Sequence, residues 1–588
     1  MKTNLLALLL RSVTGASAIL MMTSCNQGEK KTGSPPNVII VLTDDQGYGD
    51  ISAHGNPVLE TPMLVKLYAR SVRFTDFHSA PMCTPTRGQL LTGRDAFDNG
   101  ATMVCMGRSM IREEVPTMAD IFKASGYKTA HFGKWHLGDS YPHRPQDRGF
   151  EVTVHHGAWG IGSIADHWGN TYWNDTYWRN NIPRKYEGYC TDVWFDLSID
   201  YIRKHDNNGT PFFIYLATNC PHGPHLCDDK YSNPYLEQGI REQVAKFYGQ
   251  IANIDENMGR LLDVLDETGL AENTILIFMT DNGTVRGHEI FNANMRGHKT
   301  EPYEGGHRVP LFVRWPGGNL GKPRDIDLLT QVQDILPTLI DWCDLKIPEN
   351  SNFDGSSLAS LFTDNNETLD DRILVVQYEN PYRPDEDKAV MWKKWRLVKN
   401  KELYDLTGDP GQKNNIADQH PEVVHKLQEF YEEWLERTMP DYQKERYIHL
   451  GSEKQNPMLL YSSDWKGSYA DNNGNLFAGD RIGYWDVIID KPGSYDFTLS
   501  RWHPDSGLPL TAPMKDRNGN NRGAIPIAYA RLKIGDYDKI IQISPEQTNV
   551  IFTSVHLPEG INKLETWFLD KNLQPVCSAY YTYVERIK

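Results

Sequence analysis

Hydrophobic positions fall into two regimes along this chain. In the first, short all-apolar runs alternate with helical patterns. "NVIIVLTDD", from Asn37, is an apolar run ending in acids, the signature of a strand buried on both faces. "PFFIYLAT" and "NTILIFMTDNG" repeat it, and "VRFTDFHSA", "YKTAHFGKWH" and "RVPLFVRWP" read as further strands. Between them "TPMLVKLYARS", "VPTMADIFKASG" and "QVAKFYGQIANIDENMGRLLDVLDETG" carry helical periodicity; the second has Pro116 near its start and Gly126 closing it. Strands alternating with helices predict an α/β domain over residues 37–362, a mostly parallel sheet flanked by helices. Ligands of such sheets gather beyond the carboxyl ends of the strands. Asp44–Asp45, Lys134–His136, His222 and Asp281–Asn282 all stand at or just after those ends, and Lys134 and His136, two apart, would share one face of a strand.

The register changes near residue 363. "ILVVQYE", "AVMWKKWRLVKN" and "ELYDL" read as short antiparallel strands. "HPEVVHKLQEFYEEWLERT" is an amphipathic helix with Val424, Leu427, Tyr431, Trp434 and Leu435 on its apolar face. Residues 363–449 are therefore expected to form a small α+β lobe. Beyond about 450 helical patterns vanish, and turn-separated alternating runs predict an all-β sandwich over 455–588.

The N-terminus reads differently again. Residues 1–25, "MKTNLLALLLRSVTGASAILMMTSC", join Lys2, an apolar stretch broken by Arg11, and small residues before Cys25. The ending resembles a bacterial lipoprotein signal with Cys25 as the lipidated residue; Met22 departs from the usual leucine. Residues 26–36 read as a tether. The expectation is an exported protein at the periplasm or cell surface of a Gram-negative bacterium, touching membrane only through that lipid.

Charge narrows the classes. A formal net charge of −16 over 588 residues argues against nucleic-acid binding. An anionic substrate would need a local basic pocket working against that field. Besides Cys25 the cysteines are Cys83, Cys105, Cys190, Cys220, Cys227, Cys343 and Cys577; Cys220 and Cys227 lie close in sequence, and no pairing is readable. Residues 155–180 concentrate Trp159, Trp168, Trp173 and Trp178 with His155, His156 and His167, a composition suited to a pocket rim. His167 and Trp168 are the sugar-binding candidates among them.

Singly, "TDD" and "TDNG" are common caps and turns. Two acidic pairs on one sheet edge, however, supply hard oxygen ligands, which favour Ca²⁺ or Mg²⁺ over Zn²⁺. Arg87, Lys134, His136, His222 and Lys299 beside such a cation suggest a pocket for a tetrahedral oxyanion. "CPHGPHLC" offers two Cys and two His, but its spacing and two prolines suit tetrahedral zinc poorly.

Cys83-Thr84-Pro85-Thr86-Arg87, followed by "GQLLTGR", resembles the type I sulfatase signature. The likeness extends in order through "NVIIVLTDDQGYGD", "GYKTAHFGKWHLG", "DRGF", "PHGPH", "TDNG", "GHKTEPYEGGHRVP" and "ELYDLTGDPGQKNN", covering roughly residues 37–440. "HHGAWGIGSIADHWGNTYWNDTYW" and the late β-sandwich also look like a bacterial arylsulfatase-like subgroup of that family. Thr86 departs from the more usual serine or alanine. The resemblance implies an alkaline-phosphatase-like fold. It also implies that a maturation enzyme oxidises Cys83 to formylglycine, and that one Ca²⁺ is held by Asp44, Asp45, Asp281 and Asn282 with residue 83. By the same resemblance Arg87, Lys134 and Lys299 neutralise the sulfate, His222 or Lys299 protonates the leaving alcohol, and His136 assists sulfate expulsion. The expected substrate is a sulfated carbohydrate, attacked at a terminal sugar of galactose or N-acetylgalactosamine type. The rival readings are an aryl-sulfatase or phosphonate/phosphate ester hydrolase on the same scaffold, and an inactive sugar-binding protein.

Overall fold

The computed structural model describes residues 34–205, 209–349, 351–362, 369–379, 386–516 and 518–587. The leader, the lipidated Cys25 and most of the tether expected at 26–36 lie outside the described residues. A ten-stranded sheet organises the first half of the chain. Its centre is five strands: β1 (Asn37–Thr43), β2 (Lys128–Lys134), β3 (Val152–His156), β4 (Phe212–Ala217) and β5 (Thr274–Thr280). They lie in the order β5-β1-β4-β2-β3, every neighbouring pair parallel. Antiparallel partners close both flanks: Leu311–Arg314 against β5, and Thr176–Arg179 against β3. A further parallel pair, Arg324–Ile326 with Val72–Phe74, lies at the edge beyond Leu311–Arg314, so the sheet as a whole is mixed.

Burial explains why the central strands read as unbroken apolar runs. All seven residues of β1 are buried. Val38, Ile40 and Leu42 enter the core on one face with Phe213 and Ile277, while Ile39 and Val41 enter the core on the other with Ile214 and Phe278. At about 1.5–3 kcal/mol for each large apolar side chain, that two-sided packing fixes the strand ends, and with them whatever chemistry follows. Two helices matter for the site. Helix α1 (Cys83–Thr92) is buried at every position, and α2 (Cys190–His205) packs on the long helix α3 (Glu242–Glu267). Asn253 and Asn257 of α3 both donate to Asp192 at 2.8 and 2.7 Å.

Four antiparallel strands between Ile373 and Asp405 carry the helix Pro421–Tyr442. Leu427, Tyr431 and Trp434 are buried as the periodicity predicts, whereas Val424 and Leu435 are half-buried and Val423 takes a core position. Further on, two β-sheets share one core of Trp485, Phe497, Leu532, Phe552, Leu564 and Val584. Two features depart from the sequence reading. Ile448–Leu450 already pairs with Gly483–Ile489, so this sheet begins before residue 455. A short helix, Asn473–Ala478, interrupts the strands. Its polar sequence hides it, but Asn472 and Asn475 form a reciprocal capping box. The β core also takes in Met110, Ala158, Ile164 and Ala165 from the α/β region. From Pro35 onward the chain is one compact unit. Among the described residues no helix is long and apolar enough to cross a membrane.

Candidate active site

The carboxyl ends of β1, β2, β4 and β5 are adjacent, and each is followed by chemistry: Asp44–Asp45, Trp135–His136, Asn219–His222 and Asp281–Asn282. Glycines permit the close approach. Gly133, at φ +107°, would place a Cβ 1.9 Å from the Ala217 carbonyl oxygen, and Gly283 would place one 1.9 Å from that of Gly305. Three non-glycine residues beside the site also hold positive φ: Asp45, His136 and Thr300. For a β-branched threonine that is a real outlier, and such strain concentrates at functional sites. It is held by the Thr300 N–H on the Pro81 carbonyl (2.8 Å) and the Lys299 N–H on that of Thr284 (3.1 Å). Lys299 is thereby fixed between the segment before Cys83 and the one after Asn282.

Cys83 is the first residue of α1, and the preceding Met82 offers no side-chain cap, so the helix presents its amide end at that position. Thr84 donates to the His136 carbonyl (3.2 Å), tying helix to loop. The Thr86 hydroxyl accepts from the Ala80 N–H (3.0 Å) and donates to the Ala80 carbonyl (3.1 Å). The departure at 86 thus keeps a hydroxyl with two partners.

The charges interlock. Arg87 reaches Asp281 Oδ2 at 2.9 Å and the Lys134 carbonyl at 3.1 Å, with Asp44 at 3.8 Å. Lys134 Nζ donates to Asp44 Oδ2 at 2.6 Å, and Lys299 Nζ lies 2.5 Å from Asp45 Oδ1. The Asn282 amide donates to Asp45 Oδ1 (3.0 Å), and the Asp45 N–H to Asp281 Oδ1 (3.0 Å). His222 Nε2 lies 3.7 Å from Asp45 Oδ2, its Nδ1 bonded to the Gly223 carbonyl at 2.7 Å. A carbonyl only accepts, so Nδ1 carries the proton and Nε2 faces the acids as a lone pair in the neutral ring. His136 Nε2 likewise donates to Val104 (3.2 Å), leaving Nδ1 buried without a partner.

Titration follows from burial. Burial and the nearby Asp281 hold the Asp44 carboxyl well above its usual range, against the pull of Lys134. Burial pushes Asp45 up as well, but its neighbours, Lys299 foremost, pull it down and hold that group ionised. His222 is pushed down to about 3 by burial, and His136 well below its usual value by burial and Lys134. Burial raises the Cys83 thiol, Lys134 and Lys299 opposing. A protonated buried thiol is a poor nucleophile.

Ligand atoms of Asp44, Cys83 and Asp281 lie within 4.8 Å of one another. Asp44 Oδ1 and Asn282 Oδ1 are buried with no hydrogen-bond partner. Converging hard oxygens, two of them unsatisfied, fit a divalent cation. The four candidate residues of "CPHGPHLC" turn apart instead. Cys220 meets Tyr189 OH, His222 faces Asp45, His225 meets Gln250, and Cys227 donates to the Lys246 carbonyl. The spatial neighbour of Cys220 is Cys190, with sulfurs 3.9 Å apart, and the described cysteines form no disulfide.

Two expectations need correction. Lys134 and His136 do not share a strand face: β2 ends at Lys134, and His136 follows in a left-handed turn. His167 and Trp168 are not at this site's mouth. Trp168, 38% exposed, stacks on His503 at 5.7 Å, and His167 lines a separate groove with Asp139 and Arg144. The aromatic beside the site is Trp159, its ring 5.1 Å from that of His222. Sequence reasoning also missed Tyr469, which packs on the small cluster of Cys83, Val104 and Cys105. No periodic signal marks it.

The chain matches the sulfatase family model over residues 36–345, more than half its length, and N-sulphoglucosamine sulphohydrolase, C-terminal, over 298–438. It is 29% identical over 508 residues to the N-acetylgalactosamine-6-O-sulfatase of Bacteroides thetaiotaomicron, covering 70% of this chain and 96% of that one. It is 29% identical to the ulvan-active sulfatase of Formosa agariphila, covering 65% and 77%. Among solved structures, Ps i-CgsB in complex with k-i-k-neocarrahexaose aligns at a TM-score of 0.62 and 23% identity, over 68% of this chain and 92% of that one. Its alkaline-phosphatase-like scaffold agrees with that of the solved sulfatases, and the protein belongs to the sulfatase family, a sulfuric ester hydrolase.

Proposed function

We propose that this chain removes sulfate from a sulfated sugar, with galactose- or N-acetylgalactosamine-type sugars as the first to test. The observation that carries the reading is the meeting of Cys83, at the amide end of α1, with three carboxylates, two unsatisfied oxygens and the cations Arg87, Lys134 and Lys299. The relatives support a sugar substrate, since two of them act on sulfated glycans by name.

Asp44, Asp45, Asp281 and Asn282 would hold a calcium ion, which supplies a fixed positive charge for a sulfate oxygen and for the group at position 83. Cys83 matured to formylglycine by its oxidising enzyme would supply a hydrated aldehyde, with one hydroxyl to attack sulfur and another to release sulfate. The remaining work falls to the chain's own side chains. Lys134, Lys299 and Arg87 set cations around the site and neutralise charge on the non-bridging oxygens. His222, its Nδ1 fixed on Gly223, aims Nε2 into the site; a bound anion raises its proton affinity, so that Nε2 takes up a proton from water and gives it to the leaving oxygen, with Lys299 as the other donor in reach. His136 keeps an unpartnered Nδ1 to accept a proton during sulfate release.

We further propose export and lipid anchoring through Cys25, supported by the apolar leader before it. Labelled palmitate should enter the wild-type chain and not Cys25→Ala.

The function is tested on protein matured alongside the oxidising enzyme. The peptide spanning residue 83 should lose roughly 18 Da, sulfur and two hydrogens exchanged for oxygen. The same protein should release sulfate from 6-O-sulfated N-acetylgalactosamine. Turnover of phosphonate esters instead would shift the reading to a phosphonate hydrolase. Full maturation with no turnover of any sulfate ester would leave a sugar-binding protein.

A further inference from the structure

The family models end at residue 438, and about 70% of this chain is enough to cover 96% of the Bacteroides relative. The β region beyond lies outside both family models. It does not sit apart from the chemistry. Tyr469 packs on the Cys83 cluster, and the carbonyl of Asp471 accepts from the Trp159 indole N–H at 3.0 Å, fixing the ring that leans on His222. Ile164 N–H also donates to that carbonyl, at 3.1 Å, and Ser163 bridges to Asn472.

Beyond Trp159 opens a cleft of about 880 Å³. One wall comes from the α/β region through Trp159 and Arg286, the other from the β region through Asn472, Asn473, Phe477 and Lys515. Lys246 and Glu242 also line it, paired with each other at 2.7 Å, and Asp516 lines it with its carboxylate taken up by the Asn518 and Asn520 N–H groups and by Arg522. Arg286 differs: its Nε is buried with no hydrogen bond, although its Nη1 lies 3.6 Å from Glu289. Lys515 is exposed on the opposite wall, on the short strand Met514–Lys515. On a protein of net charge −16, cations on both walls of one cleft select for an anion. Trp159 and Phe477 offer apolar faces for a sugar ring, and the amide of Asn473 offers donors and an acceptor for hydroxyls.

Resting on the sulfatase reading, we infer that this cleft is a second sugar subsite, built jointly by the two regions, which binds the neighbour of the sulfated residue and requires a carboxylate or second sulfate on it. The substrate class is therefore an anionic oligosaccharide rather than a sulfated monosaccharide. Trp159 serves both sites, since it touches His222 on one side and the cleft on the other.

The test separates the subsite from the chemistry. Matured wild-type protein is assayed on 4-nitrophenyl sulfate, on 6-O-sulfated N-acetylgalactosamine, and on two disaccharides that join this sugar to glucuronate or to neutral glucose. The inference expects at least about 10-fold higher kcat/KM for the glucuronate disaccharide than for the glucose one or the monosaccharide. In Asn473→Ala and Lys515→Ala that preference should shrink several-fold, the glucuronate disaccharide losing more than 4-nitrophenyl sulfate. Equal kcat/KM for both disaccharides, or equal losses on every substrate, overturns the inference while leaving the sulfatase reading intact. Binding supplies a readout independent of turnover. Calorimetry on Cys83→Ser should give tighter binding of the glucuronate disaccharide than of the glucose one, and weakening by Lys515→Ala. Equal binding there overturns the subsite even if no sulfate ester is turned over, and that last result would count against the sulfatase reading alone.

Discussion

Two buried clusters in this molecule draw on the same side-chain types and end in opposite states. One is the site around Asp44, Asp45 and Asp281. The other gathers His78, Glu304 and His307 with Asp76 and Arg396. In the second, a single guanidinium keeps the acids apart: Arg396 gives Nε to Glu304 Oε1 and Nη2 to Asp76 Oδ1, both at 2.8 Å. His78 takes Asp76 at 2.8 Å and His307 at 2.9 Å. Burial, the largest influence, would raise Glu304, but Arg396 together with His78 and His307 outweighs it and holds the carboxyl down at about 2. At the active site the acids are pressed together instead. Asp44 feels Asp281 more strongly than it feels Lys134, and its Oδ1 has no partner. Unpartnered atoms do not separate the two, since Glu304 Oε2 and His307 Nε2 are buried without partners as well; the charge balance does, because paired acids held down by a guanidinium are architecture, whereas acids pressed together at a strand-end edge suit a cation.

The comparison is tested hardest at Cys83. Cys83→Ala should lower sulfate-ester turnover by roughly 10⁴-fold or more without changing the unfolding midpoint appreciably, because the nucleophile is lost and only a small buried group is removed. Turnover within 10-fold of wild type would place the chemistry elsewhere. Removing the organiser of the other cluster should do the reverse. Arg396→Ala leaves two buried carboxylates facing each other, and chemical denaturation should show a loss of about 3–5 kcal/mol, with kcat per folded molecule little altered.

Metal dependence sharpens the contrast next. Asp44→Asn should cost on the order of 10²–10³ in kcat/KM, and calcium should then no longer raise the melting temperature. In the wild-type protein, calcium at 100 times its dissociation constant should add about 2.7 kcal/mol of stability, removable by chelation. Chelation should have the same effect on an Arg396→Met protein as on wild type; a smaller effect there would mean that the second cluster, too, binds the ion.

The acid limb of stability belongs to the architectural cluster. Glu304 has a folded pKa of about 2 against an ordinary value of 4.5. Its contribution is therefore complete above about pH 4.5 and is lost as pH falls through about 2. Glu304→Gln should flatten the stability profile across that window, and an unchanged acid slope would show that Arg396 does not govern the group.

The strand-end acids and the Cys83 motif were legible because apolar runs fix where strands stop, and chemistry follows the stop. Lys134 was placed correctly at a strand end, but His136 was not on its face, since a left-handed turn at position 136 has no periodic signature. Trp168 and Trp159 look alike in a loop-rich sequence. Only the distant Asp471 carbonyl decides which ring reaches His222. The helix at Asn473–Ala478 was hidden because its support is a polar cap rather than an apolar stripe.

Thr86 gives the finest test, because it separates what the motif needs from what it usually contains. Its hydroxyl both accepts from and donates to the Ala80 backbone, closing the loop that delivers Cys83 to the helix start. Serine can make the same two bonds, and its smaller volume removes one methyl group from a buried position. Thr86→Ser should therefore cost no more than about 1 kcal/mol and leave maturation at Cys83 complete by peptide mass. Thr86→Val keeps the shape and loses both bonds; the Ala80 carbonyl keeps the Ser79 hydroxyl at 3.1 Å, but the Ala80 N–H is stranded in a buried turn, at about 1–3 kcal/mol. If valine proved as harmless as serine, the hydroxyl would be incidental and the methyl packing would be what holds the loop.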